Sequence, residues 1–207
     1  MNTLWGTGTT RTLRPIWVAE ELGLDYELIR MGPRTGETST PAYTRMAPKQ
    51  KIPFFRDASV QLSESLAICR YLVAAHPGGP FHVPVTPAGQ AKLDEWCCYM
   101  YGELDETSLY VMRRHRDLAS LYGEAPAAVA ASSEYAARHL GIVAQLIGDE
   151  ETVLPEGFSL ADVLLMTCVI WAEAYGVTVP DSLIAYRQRI GVRPAYQRAS
   201  EINFKQG

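Results

Sequence analysis

Between residues 77 and 87 the chain reads Pro77-Gly78-Gly79-Pro80-Phe81-His82-Val83-Pro84-Val85-Thr86-Pro87. Proline removes backbone donors and fixes φ, and paired glycines raise the entropy lost on ordering, so neither a helix nor a strand can run through this stretch. The chain is therefore expected to divide here, with residues 1–77 as one domain, 78–87 as a linker and 88–207 as a second domain. The two sides also differ in pattern. Before the linker, strand-like and helical segments alternate; after it, apolar residues recur at helical spacing only.

On the N-terminal side, Thr3 to Gly6 is a short strand, and Gly6-Thr7-Gly8-Thr9-Thr10 reads as a loop. A helix follows with Leu13, Ile16, Trp17 and Leu22 on one side and a stop at Gly23, and Pro15 places its start near Arg11 or Thr12. Leu24 to Ile29 is a second strand, so the first 30 or so residues form a β-α-β crossover, which implies a parallel pair. Gly32 to Ala47 is irregular, with a short helix near Pro41 to Arg45. Ile52 to Arg56 and Ser59 to Leu62 make a hairpin around Asp57-Ala58, and Ser63 caps a helix carrying Leu66, Ala67, Cys69, Leu72 and Val73.

On the C-terminal side, Leu93, Trp96, Cys97, Met100 and Leu104 form one helical stripe, and Val129, Ser132, Ala136, Leu140, Val143 and Ile147 form another. Ser159-Leu160-Ala161-Asp162 is a capping signature that opens a helix apolar on all sides from Val163 to Trp171, the expected centre of a bundle. Shorter helices are expected over Asp181 to Ile190 and Arg193 to Ala199.

Two features of the first domain point to a ligand. Pro53 sits in the apolar run Lys51-Ile52-Pro53-Phe54-Phe55 and cannot donate to a sheet ladder, so backbone polar groups beside it are left exposed. Soon after, Ser63-Glu64-Ser65 heads an apolar helix, where orphan N–H groups and the helix dipole favour a carboxylate. Exposed backbone next to an anion-receptive helix start suits a peptide-like ligand.

These residues resemble the glutathione-binding half of the cytosolic glutathione transferases, in a serine-type-like bacterial or plant-type branch with threonine in the catalytic loop. The resemblance extends from Leu4-Trp5-Gly6 to Arg193-Pro194-Ala195-Tyr196. It implies two domains, an N-terminal thioredoxin-like α/β domain with a four-stranded mixed sheet and a C-terminal all-α helical bundle. It also implies that Ile52, before a cis Pro53, holds the tripeptide backbone, that Glu64 pairs with the γ-glutamyl ammonium and that Ser65 binds the γ-glutamyl carboxylate. For the glycine carboxylate, Lys51 ranks first among Lys51, Gln50, Lys49 and Arg34.

The thiolate is the nucleophile in such chemistry, and a thiol near pKa 8.5 needs a donor or a helix N-terminus to ionise at neutral pH. Counting back from Gly23 puts Thr9 on the family's catalytic serine position with Thr10 beside it; either hydroxyl, or a backbone amide of the loop, could supply the donor. A threonine that merely caps the helix is the competing reading. No tyrosine precedes Tyr26 and no cysteine precedes Cys69, which disfavours the tyrosine- and cysteine-type mechanisms. An electrophile pocket is expected between the domains, with Tyr101, Tyr110 and Arg113 as candidate lining residues. The activity implied is attack of the glutathione thiolate on a small electrophile; a glutathione-dependent peroxidase or isomerase, or a non-catalytic glutathione- or partner-binding relative, is the alternative.

Bulk properties are consistent with that class. Nineteen basic and 23 acidic residues give a net charge of −4, which provides no basic footprint for nucleic acid or anionic membrane. The four cysteines, at 69, 97, 98 and 168, have no zinc-ligand spacing, so no metal is expected. Without a signal-peptide pattern at the N-terminus or an apolar run long enough to span a bilayer, the expected location is cytoplasmic, and a homodimer is the expected assembly.

Overall fold

Strand β1 (Asn2–Trp5) is the hub of a four-stranded sheet of order β2-β1-β3-β4. It pairs in parallel with β2 (Tyr26–Ile29) and antiparallel with β3 (Phe54–Arg56), which in turn pairs antiparallel with β4 (Gln61–Ser63). The parallel pair is linked by α1 (Thr10–Glu21), the crossover expected from the sequence. Helix α2 (Pro41–Met46) follows a 3₁₀ turn at Glu37–Ser39, and α3 (Ser65–Ala75) follows β4. This is the thioredoxin-like arrangement with a mixed sheet.

Strand alternation gives the sheet two apolar faces. Trp5 and Phe54 point with Tyr43 and Ala47 into one cluster, joined by Ile29, Met31, Met46 and Ile52. The neighbouring residues Leu4 and Phe55 point the other way, and Phe55 meets Tyr71 of α3 with ring centroids 5.8 Å apart. Leu13, Ile16 and Trp17 of α1 are fully buried, as the helical stripe requires.

The computed structural model describes residues 1–205 and falls into two units, one of Met1–Phe81 together with the chain from Gly191 onward, the other of His82–Ile190. That division differs from the expected helical domain of residues 88–207. The cause is α10 (Pro194–Phe204), which packs on α1. Arg193 donates two bonds to the Glu21 carboxylate, at 2.6 and 2.9 Å, Arg198 pairs with Glu20 at 2.9 Å, and Tyr196 stacks edge-on against Trp17. Sequence periodicity marks these segments as helices but says nothing about which surface they cover.

Within the second unit, α4 (Pro87–Tyr99) runs into a π-helical segment, Met100–Leu109, and on into α5 (Tyr110–His115). Short α6 (Ala119–Tyr122), long α7 (Pro126–Ile147), α8 (Leu160–Ala174) and α9 (Asp181–Gly191) complete it. Every side chain of α8 from Leu160 to Val169 is buried, as a helix apolar on all sides must be. No helix among the described residues is long and apolar enough to cross a membrane.

Candidate functional site

Thr9 is the N-cap of α1. Its Oγ1 accepts the Thr12 N–H at 3.0 Å, and Thr12 Oγ1 accepts the Thr9 N–H at 3.0 Å, a reciprocal capping box with threonine in the usual Glu or Gln position. The box fixes the helix start at Thr10, earlier than the expected Arg11 or Thr12, so that Pro15 lies inside the helix. Thr9 is only 8% exposed, whereas Thr10 is half-buried and Gly8 is exposed. A hydroxyl at this point sits on the positive end of the α1 dipole, next to the first-turn amides.

The loop bearing Thr9 begins at Gly6, whose φ of +104° suits glycine alone. A Cβ added there would lie 2.5 Å from Ile52 Cβ, so the loop's first residue rests directly on Ile52. We expect Gly6→Ala to destabilise the fold by about 2 kcal/mol or more through combined φ strain and overlap. Thermal melts would check this, and a variant melting with the wild type would show that the contact relaxes freely.

Ile52 precedes a cis bond to Pro53 and lies just outside the ladder, whose last pair is Trp5 with Phe54. On the other side the Tyr43 hydroxyl donates to the Lys51 carbonyl at 2.8 Å. Burial pushes the Tyr43 phenol up to about 12, so it stays a donor at any physiological pH and holds Lys51 in place.

The start of α3 differs in one respect from the sequence reading. Ser63 ends β4, and Glu64, not Ser63, occupies the N-cap position with φ 78° and ψ 115°. Such a conformation is costly for a residue with a Cβ and persists only where its surroundings impose it. The Glu64 carboxylate pairs with Lys49 at 3.0 Å on the surface. Ser65 is buried beneath it, and its Oγ accepts from Arg14 Nη1 at 3.3 Å. Arg14 is fully buried on α1, so α1 and the head of α3 are tied through a charged side chain.

The structure thus brings Thr9, Ile52, Pro53, Glu64 and Ser65 into one unit, linked by the Gly6–Ile52 and Arg14–Ser65 contacts. Lys51 is exposed next to Ile52. Lys49, ranked below Lys51 for a carboxylate, instead meets Glu64. Sequence reasoning missed Arg14, whose signal was a charge inside an apolar helical stripe, and Thr12, whose signal was Thr-x-x-Thr before an apolar run.

Tyr101, Tyr110 and Arg113 lie in the second unit and are all half-buried. The segment carrying Tyr101 is π-helical, with Ser108 Oγ donating to the Glu103 and Leu104 carbonyls, so its side chains do not follow α-helical spacing. A cavity of about 870 Å³ in that unit is walled by Pro84, Val85, Trp96, Ile142 and Leu146, with Lys92, Glu95, Tyr99 and His139 among its polar members. None of Tyr101, Tyr110 and Arg113 lines it.

Residues 2–74, which hold the whole constellation from β1 to α3, match the glutathione S-transferase N-terminal domain family. Over these residues the chain is similar to the glutathione S-transferases. It is similar to glutathione S-transferase GstA of Escherichia coli O157:H7, with 27% identity over 76% of both chains. A glutathione S-transferase-like protein of Aspergillus aculeatus is 29% identical over 64% of this chain, the match spanning 63% of that protein's length. Among solved structures, the theta class glutathione S-transferase of Xanthomonas axonopodis pv. citri, with glutathione bound, superposes at a TM-score of 0.82 with 25% identity over 99% of each chain. Outside residues 2–74 the similarity rests on the longer sequence match to the Escherichia coli protein and on the fold.

Proposed function

We propose that this protein is a glutathione transferase of the serine/threonine-type branch, using Thr9 or Thr10 to activate the thiol. The observation that carries the reading is Glu64, held at φ 78° over the buried Ser65 at the head of α3. Strain of this kind clusters at ligand clamps and active sites, which supports a task for this position beyond folding. In this reading Glu64 pairs with the γ-glutamyl ammonium, and the Ser65 hydroxyl and amide receive its carboxylate on the helix dipole. Ile52 pairs with the peptide backbone, and Lys51 meets the glycine carboxylate. The thiol then lies at the α1 N-terminus, where a Thr9 or Thr10 hydroxyl and the dipole favour the thiolate. The thiolate attacks an electrophile, for which Tyr101, Tyr110 and Arg113 remain the candidate contacts. A cytoplasmic homodimer belongs to the same reading.

One observation favours a second reading, a non-catalytic glutathione-binding relative: Thr9's hydroxyl is engaged in the cap and is nearly inaccessible. Two measurements separate the readings. Glutathione at tenfold its Kd should stabilise the native state by about 1.4 kcal/mol and raise the midpoint by roughly 3–6 °C. No shift would sink both. Conjugation of a generic aromatic electrophile should then fall about tenfold or more in Thr9→Val or in Thr10→Val. Glutathione binding without conjugation by the wild type would leave the second reading.

A further inference from the structure

Asn203, near the end of α10, is 1% exposed, and its polar atoms turn onto the N-terminal loop. Its Oδ1 accepts from Thr12 Oγ1 at 2.7 Å and from the Gly8 N–H at 3.2 Å; its Nδ2 donates to the Thr9 carbonyl at 3.0 Å. Its own carbonyl accepts the Gly8 N–H at 2.9 Å. The reverse orientation of the side-chain amide would set Nδ2 against the Gly8 N–H and Oδ1 against the Thr9 carbonyl, donor to donor and acceptor to acceptor, so the amide points this way. One residue, 191 positions from Thr12 in sequence, therefore grips residues 8, 9 and 12 at once.

These contacts exceed what packing α10 on α1 requires. The two ion pairs and the Tyr196–Trp17 contact already fasten the helix. A buried amide that closes hydrogen bonds on three residues of one turn fixes where that turn lies. Geometry matters here because a hydroxyl displaced by about 1 Å from a reacting atom can cost up to about a hundredfold in rate.

We propose that Asn203 is a positioning residue for thiol activation: it locks the Gly8–Thr12 turn so that the Thr9 hydroxyl and the first amides of α1 are held where the glutathione sulfur arrives. The proposal rests on the function proposed above. It assigns Asn203 no contact with the substrate. Glutathione's grip through Lys51, Ile52, Glu64 and Ser65 is made by other elements, so binding and activation should separate.

The test uses Asn203→Ala and the nearly isosteric Asn203→Asp in the full chain, with glutathione affinity, kcat for an aromatic electrophile and the ionisation of bound glutathione followed by thiolate absorbance against pH. The alanine variant should keep the glutathione Kd within about twofold and lose about tenfold or more in kcat. The aspartate variant keeps the shape but sets a carboxylate against the Thr9 carbonyl and a negative charge beside the turn. It should raise the ionisation midpoint of the bound thiol by about one pH unit. Arg30, Glu37 and Lys205 line the adjoining cavity with Thr7, Gly8 and Asn203, and Arg11 lies on the first turn of α1. These charges are the same in all three proteins, so a difference in midpoint reports position 203. Wild-type kcat and midpoint in both variants, whatever their melting temperatures, would overturn the role. So would a kcat loss matched by an equal loss of glutathione affinity. If the alanine variant does not fold, the aspartate variant decides. A wild type that conjugates nothing fails one step earlier, at the function itself.

Discussion

Ser65→Ala is expected to weaken glutathione binding by about 10- to 100-fold, more than any other single change at the head of α3. A hydrogen bond from a hydroxyl to a carboxylate contributes about 1.5–3 kcal/mol, and Ser65 is buried, so water cannot take its place. The same hydroxyl accepts from the fully buried Arg14, so its removal also costs the native state about 1 kcal/mol. Glu64→Ala should cost less. Its carboxylate is roughly half exposed and paired with an exposed Lys49, a setting in which ion pairs contribute little. The expected order of glutathione affinity is therefore wild type, then Glu64→Ala, then Ser65→Ala, measured by calorimetric titration. A Ser65→Ala protein that binds as tightly as the wild type would remove the head of α3 from the site.

Much of the fold follows from local pattern. The β-α-β then β-β-α order could be read because strand and helix periods alternate over short spans, and the break near residue 80 because proline and glycine act where they stand. The residues proposed for the binding half share that locality, since the cis Ile52–Pro53 bond and the start of α3 at Ser65 are matters of short-range backbone geometry. What escaped depended on distant partners. Arg14 and Ser65 are 51 residues apart, and Asn203 lies 191 residues from Thr12. A lone arginine in an apolar stripe or an asparagine in a polar helix carries no mark of what it will meet. The π-helical segment escaped for a different reason. It shifts the period within one continuous helix, whereas the stripe from Leu93 to Leu104 is counted at α-helical spacing throughout.

Asp162→Ala should be the most destabilising single change in the helical unit, at about 4 kcal/mol. The carboxylate is fully buried and receives four hydrogen bonds. Oδ1 accepts from the Val153 N–H at 2.8 Å and the Tyr186 hydroxyl at 2.7 Å, and Oδ2 from the Ser159 N–H at 2.7 Å and Ser159 Oγ at 3.0 Å. Alanine would orphan two buried N–H groups and a buried phenol at about 1–3 kcal/mol each, partly relieved by relaxation. Ser159→Ala and Tyr186→Phe remove one donor apiece and leave the carboxylate with its others, so each should cost only about 1–1.5 kcal/mol. For a chain of this size the Asp162→Ala loss corresponds to a midpoint lower by roughly 8–16 °C. The serine and acid of this box could be mistaken for a catalytic pair, and the melts decide between the two roles. A capping role predicts a large fall in stability with glutathione affinity and kcat of the folded fraction unchanged at low temperature. A catalytic role predicts the reverse, a protein that melts within a degree or two of the wild type and turns over nothing.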